Sequence, residues 1–108
     1  MAAARKRAVR PVDVALKRLL ELVGKGAAPA RMAREASAII AEWRAAPDAD
    51  PEAVAEQLSE LREQLDAGVA DAEERVSDAD ASEPAAVKQA ALTLAAMIAT
   101  REAARDER

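Results

Sequence analysis

Among the side chains that could take part in catalysis or metal binding, acidic ones are the commonest: this 108-residue sequence contains 20 Asp and Glu residues. Asp78, Asp80 and Ser82 have the spacing of the first three ligands in a helix–loop–helix calcium site. The match ends there, because Glu83 stands where that loop requires glycine and Gln89 replaces its bidentate glutamate. The segment therefore predicts a helix cap and a linker, not a calcium site.

Most catalytic and metal centres need side chains that this sequence lacks. It contains no Cys and no His, which excludes thiolate and imidazole metal sites and the Ser-His-Asp and Cys-His catalytic groups. Neighbouring carboxylates such as Glu73 and Glu74 need a desolvated cleft to act as acid and base, and an alanine-rich core offers little such volume. We therefore expect no enzymatic activity, no cofactor, no metal and no small-molecule substrate.

Positive charge is concentrated in the N-terminal half of the chain. Residues 1–46 contain ten Lys or Arg and four acidic residues, a net charge of +6, whereas residues 47–108 carry −10. Two short basic helices joined by residues 24–28 would form a helix-turn-helix-like pair, so a small nucleic-acid-binding module is the alternative functional hypothesis. Its candidate contact residues are Arg5, Lys6, Arg7, Arg10, Arg31 and Arg34.

The elements that must position these groups are helices. Ala, Leu, Arg and Glu, which favour helix, dominate the composition, and the β-branched and aromatic runs typical of strands are absent. Hydrophobic periodicity and proline positions predict helices over residues 11–23, 29–46 and from 51 to about 76, with a fourth beginning at residue 82 or 83.

This pattern predicts an all-α fold: a small bundle of four helices, with two shorter N-terminal helices packed on a longer C-terminal helical hairpin. Residues 1–108 are expected to form one domain. Within it we expect residues 1–10 to be a basic N-terminal arm and residues 100–108 to be a frayed C-terminal tail.

The third predicted helix has a narrow apolar stripe with the spacing of a coiled coil, formed by Leu58, Leu61, Leu65 and Val69. A self-contained bundle and a contact with another copy both satisfy this pattern. Gly68 interrupts the stripe, so we expect either the close approach of a neighbour or a kink there. Trp43, the only aromatic residue, closes the apolar face of the second helix and is expected in the core.

The leading functional hypothesis is a non-enzymatic protein–protein interaction or assembly protein that is oligomeric or bound to a partner. Helix formers are abundant, large apolar residues are few and reactive groups are missing, which is typical of an adaptor or of a small subunit in a larger complex. Candidate interface residues are the third-helix stripe and apolar positions outside the predicted core, namely Leu58, Leu61, Leu65, Val69, Val14, Leu22 and Leu92.

Composition also gives expectations about source and compartment. The excess of Arg over Lys, 12 to 4, and the 31 alanines indicate a GC-rich genome, bacterial or phage. No uninterrupted apolar stretch has the length of a membrane span, and a membrane partner is not expected. The expected compartment is the cytoplasm.

Overall fold

The computed structural model describes residues 10–106, which contain helices and loops but no strand. The helices are α1 (Pro11–Gly24), α2 (Pro29–Ala45), α3 (Pro51–Asp78) and α4 (Pro84–Asp106). Each begins at a proline, whose missing N–H would have no intrahelical partner in the first turn. The predicted all-α fold is confirmed, and the first three helices start at the residues that the sequence indicated.

Short connections with defined caps separate the helices. After α1, Gly26 adopts a φ of +85°, a backbone conformation that favours glycine. Its N–H donates to the Val23 carbonyl (3.0 Å). Before α3, the Asp50 carboxylate accepts a hydrogen bond from the backbone N–H of Glu52 (3.3 Å). This cap satisfies one of the unpaired donors of the first turn.

The central element of the bundle is α4. Both α2 and α3 pack mainly against α4, and α1 contacts all three of the other helices. Because α3 and α4 are long consecutive helices joined by a short turn, they form the helical hairpin on which the two shorter N-terminal helices pack. This arrangement is the predicted one.

The core draws one buried stripe from each helix. In α1, α2 and α3 these stripes consist mainly of Val, Leu, Ile and Met, whereas the buried residues of α4 are small apart from a single methionine. The α4 residues are Ala96, Met97, Thr100 and Ala104. The buried Thr100 hydroxyl donates to the carbonyl of Ala96 (2.7 Å), so its polar group is satisfied inside the helix.

Gly68 marks a close contact between α3 and α4. A Cβ atom placed at Gly68 would lie 2.5 Å from Met97 Cε, so the methionine methyl occupies the space that a side chain would need. The α3 helix continues through this position without interruption. Of the two predicted explanations for Gly68, the close approach of a neighbour is the one observed.

The end of α4 differs from the predicted frayed tail. The helix continues to Asp106, and both Thr100 and Ala104 have no exposed surface. The prediction is wrong for residues 100–106, because alanine and threonine give no strong hydrophobic signal although they pack well between close helices. Residues 107–108 of that tail, and residues 1–9 of the predicted basic arm, lie outside the described residues.

Candidate docking groove

The predicted interface on the third helix lies inside the bundle. Leu58, Leu61, Leu65 and Val69 each expose 5% or less of their surface and belong to the core cluster that also contains Met97 of α4. The stripe is therefore part of the core of a single chain. A partner cannot reach it without opening the bundle, so the surface contact expected on these four residues is corrected to a core contact.

The large apolar residues that do reach the surface are on α1 and α4. Val14 is 53% exposed, Leu92 is 52% exposed and Leu20 is 45% exposed. Leu22, the third apolar position predicted outside the core, is partly buried against the core cluster. Leu20 was not among the predicted interface residues, because it falls at the edge of the apolar stripe of α1 and periodicity alone predicts it to be buried.

Leu20 forms part of a groove, here called the docking groove, between α1 and the α3–α4 hairpin. Its volume is about 640 Å³. Three helices contribute its mainly apolar centre, which consists of Leu16, Leu20, Val23 and Gly24 from α1, Ala67, Gly68 and Ala72 from α3, and Thr93 and Met97 from α4. The α1 wall has the large side chains, and the α3 residues at the centre of the groove are small.

Polar residues line the edges of the docking groove. They are Gln64, Asp71, Arg75 and Gln89. The Asp71 and Arg75 side chains form an ion pair (3.2 Å) one helical turn apart, and both are well exposed. An apolar centre with polar edges is the usual composition of a protein-binding surface.

The groove continues past Val23 toward Leu92. A second depression of about 230 Å³ is lined by Leu92, Ala96 and the α1–α2 connection. It shares Val23, Gln89 and Thr93 with the docking groove, so the two are adjacent. The exposed side chains of Leu20 and Leu92 thus lie along one continuous surface, while Val14 lines neither depression.

Trp43 is half-buried at the C-terminal end of α2 and packs against the core. The expected core position is thus only partly realised, since one part of the side chain remains accessible. As the chain's only aromatic residue, Trp43 gives a spectroscopic probe for this end of the bundle.

The basic residues proposed for nucleic-acid binding are divided between several environments. Arg10 pairs with Glu60 of α3 and with Asp13 (3.9 Å). The hydrogen bond to Glu60, followed by the charges of Glu60 and Asp13, raises the pKa of Arg10 further above its ordinary value. Arg10 therefore ties α1 to α3 in this structure.

The other five basic residues do not test the nucleic-acid hypothesis, which stays a prediction. Arg31 and Arg34 are exposed and three residues apart on α2, so they share one helix face. The remaining three lie outside the described residues: Arg5, Lys6 and Arg7. The structure thus brings together only Arg31 and Arg34 from this set.

The loop that the sequence predicted as a cap and linker closes the α3–α4 turn. Asp80 Oδ1 accepts hydrogen bonds from the backbone N–H (2.9 Å) and the hydroxyl (2.8 Å) of Ser82. The backbone bond and then the hydroxyl bond lower the pKa of Asp80, since both stabilise the charged carboxylate. Asp80 thus stabilises the turn.

Comparisons with known proteins do not supply a function. No protein-family model, no curated protein and no solved structure matches this chain. Within residues 10–106, no helix has the length and apolar character needed to cross a membrane. The same residues contain no cluster of acidic side chains suited to holding a metal ion. Geometry and charge therefore carry the functional argument.

Proposed function

We propose that this chain is a non-enzymatic interaction protein, an adaptor or small subunit, that binds an amphipathic helix of a partner protein in the docking groove. The observation that carries the proposal is the 45% exposure of Leu20 on the wall of a groove whose opposite surface is made of Ala67, Gly68 and Ala72. A leucine with this exposure beside an apolar groove is stabilised when a partner covers it.

The shape of the groove favours a helix as the occupant. Ala67 is exposed on the α3 side of the groove and projects little, so a second helix can approach α3 closely there. The α3 residues that line the groove extend from Gln64 to Arg75, which is about 16 Å or three helical turns. An amphipathic helix lying in an apolar groove is an established mode of peptide recognition.

Charge specifies the partner helix further. The α3 helix contains nine acidic residues and two arginines, a net charge of −7, and Asp71 lies at the edge of the groove. Asp71 is paired with Arg75, so the attraction comes from the net charge of α3 as a whole, and a helix with basic residues beside its apolar face should associate faster than an acidic one. The absence of Cys and His from the sequence supports the non-enzymatic part of the proposal.

A designed peptide tests the proposal whatever the natural partner is. The probe is an 18-residue helix with leucine on one face and lysine on the other, titrated into the protein and followed by NMR. We expect saturable shifts at Ala67, Ala72 and Thr93. The Leu20→Ser variant should bind about tenfold more weakly, because the buried area of one leucine is lost.

Val14→Ser is the matched control, since Val14 is on the same helix, has similar exposure and does not line the groove. Its affinity for the peptide should equal that of the unmodified protein. Equal loss in both variants, or no loss in Leu20→Ser, would exclude the groove as the binding site. A concentration-dependent dimer mass that Leu20→Ser abolishes would show that a second copy is the occupant, which contradicts the proposal.

A further inference from the structure

The second depression, beside the docking groove, has the size of one large side chain. Its volume is about 230 Å³. A dry cavity of about 150 Å³ already holds a benzene ring, so the second depression has room for an aromatic side chain but not for a helix. The residues that line it, all within the described part of the chain, are uncharged: Val23, residues 26–29, Gln89, Leu92, Thr93 and Ala96.

Hydrogen bonds within the α1–α2 connection hold one wall of the second depression in place. The N–H of Gly26 donates to the Val23 carbonyl and the N–H of Ala27 donates to the Leu22 carbonyl, both at 3.0 Å. Residues 26–28 are glycine and alanine, whose small side chains leave the second depression open. The wall is therefore formed before a partner binds, which avoids the entropy cost of ordering a loop on binding.

Leu92 forms an apolar edge of the second depression on α4. It is 52% exposed, although Ala96, one turn further along the helix, is buried. A ring placed in the second depression would cover part of Leu92, and covering exposed apolar surface is favourable. An aromatic side chain would thus have apolar contacts with α4 as well as with the α1–α2 connection.

Two polar residues, Gln89 and Thr93, lie where the second depression meets the docking groove, since they line both. They are one turn apart on α4, and within residues 10–106 neither side chain has a hydrogen-bond partner. Each carries an oxygen that can accept a hydrogen bond. The indole N–H of tryptophan is a donor only, and it usually finds an acceptor when it is buried. These two residues therefore favour tryptophan over phenylalanine or leucine.

A helix in the docking groove passes this junction, so its side chains at Gln89 and Thr93 are next to the second depression. We infer that the partner helix carries a tryptophan that anchors it in the second depression, with the indole ring against Leu92 and its N–H donated to Gln89 or Thr93. This inference rests on the proposed function, since the helix in the docking groove brings the tryptophan to the second depression. Aromatic side chains that fill a pocket at an interface typically contribute a large share of the binding energy.

The probes are the leucine–lysine peptide of the preceding test, here called the parent peptide, and two forms of it in which tryptophan replaces the first or the last leucine. Both forms are needed because a helix can lie in the groove in either direction. One of the two should bind about tenfold more tightly than the parent peptide. The NMR shifts should then extend to Ala28, Leu92 and Ala96. Phenylalanine at the same peptide position should bind about threefold more weakly than tryptophan, because it lacks the N–H.

Leu92→Ser tests the second depression separately from the docking groove, because Leu92 lines only the former. In this variant tryptophan should improve the affinity of the peptide by less than about threefold, since the ring loses its apolar contact on α4. Val14→Ser is the matched control, because Val14 is 53% exposed and lines neither depression. This control should keep the full gain from tryptophan.

Free indole tests the second depression when the docking groove is empty. An NMR titration with indole should give saturable shifts at Ala28, Leu92 and Ala96. N-methylindole, which has no N–H to donate, should bind about threefold more weakly. If indole gives no saturable shifts at these residues, the inference is wrong whatever the peptides do, and this measurement needs no variant.

The peptide titrations distinguish failure of the inference from failure of the proposed function. If the parent peptide binds the docking groove but neither tryptophan form binds more tightly, an anchor in the second depression is excluded and the proposed function stands. If no peptide binds, both fail. Loss of the tryptophan gain in Val14→Ser would also overturn the inference. So would shifts at Leu92 that depend on protein concentration without any peptide, since a second copy would then cover the second depression.

Discussion

The two ends of the α3–α4 hairpin are packed very differently. All the buried residues of α3 lie at or before Ala72, and those of α4 lie at or after Ala96. Between them, residues 73–95 include no buried residue, and side chains such as Val76 and Val87 are only half-buried. The part of α3 up to Ala72, together with the part of α4 from Ala96 onward, is here called the packed end, and residues 73–95 are called the hairpin end. Both are mostly helical, but only the packed end contributes buried residues to the core.

This difference shows that helix formation and core formation are separate in this chain. Strong helix formers support α3 and α4 along their whole length. Burial needs more than a pair of helices, because two helices alone leave most of their surface open to water. The hairpin end should therefore open more easily than the packed end, and its amide hydrogens should exchange faster.

The largest expected effect comes from truncating one apolar side chain in each region. Leu61→Ala in the packed end should lower the free energy of unfolding by about 3 kcal/mol, because Leu61 is fully buried and its removal leaves a cavity. Val87→Ala in the hairpin end should cost less than about 1 kcal/mol, since Val87 is only half-buried. Chemical denaturation measures both values.

Equal losses for Leu61→Ala and Val87→Ala would contradict the distinction between the two ends. If Leu61→Ala leaves too little folded protein to measure, Ile40→Val serves in its place. Ile40 is also fully buried, and the smaller truncation should cost about 1 kcal/mol.

An intermediate loss of stability is expected from replacing one arginine of α3 in each region, Arg62 in the packed end and Arg75 in the hairpin end. Arg62→Gln at the packed end should cost about 1 kcal/mol, because Arg62 donates to the carbonyls of Ala104 and Arg105 at the end of α4. Arg75→Gln at the hairpin end should cost less than about 0.5 kcal/mol, since its pair with Asp71 is exposed.

Hydrogen exchange adds a local measurement to this comparison. Arg62→Gln should accelerate exchange at residues 103–106, and Arg75→Gln should leave that segment unchanged. Unchanged exchange in both variants would show that Arg62 does not hold the last turn of α4.

The smallest effect concerns pH at the α3–α4 turn. The pKa of Asp80 is lowered below its ordinary value of 3.8, chiefly by the backbone N–H of Ser82. The stability contributed by the Asp80 carboxylate is thus fully present above pH 3.8 and is lost as the pH falls through the lowered pKa. Carboxyl NMR titration should give a pKa below 3.8 for Asp80.

Ser82→Ala should raise the pKa of Asp80 only part of the way to its ordinary value. It removes the hydroxyl donor and leaves the larger backbone contribution in place. Complete return of the pKa to 3.8 in this variant would contradict the assigned order of causes. Asp80→Asn is the control, since it should abolish the pH-dependent contribution of this side chain.

Much of the fold could be predicted because its signals are local. The prolines at positions 11, 29 and 51 indicated the helix starts, and the spacing of Met32, Ala36 and Ile40 indicated a buried face. The end of α4 was missed because Thr100 and Ala104 are buried through tertiary packing. Their side chains are too small to stand out in a hydrophobic pattern.

The candidate sites were less predictable because they depend on which helices meet. Leu92 and Val14 were expected at the surface, and both are exposed. The groove beside Leu20 could not be predicted, since it requires the position of α1 relative to the hairpin.

The small buried residues of α4 limit which changes the protein can accept. Ala96, Thr100 and Ala104 are buried in α4, the helix against which both α2 and α3 mainly pack, so this part of the core contains little side-chain volume. A bulkier residue at one of these positions must displace its neighbours in the core. Substitutions that stabilise this protein must therefore lie outside the buried stripe of α4.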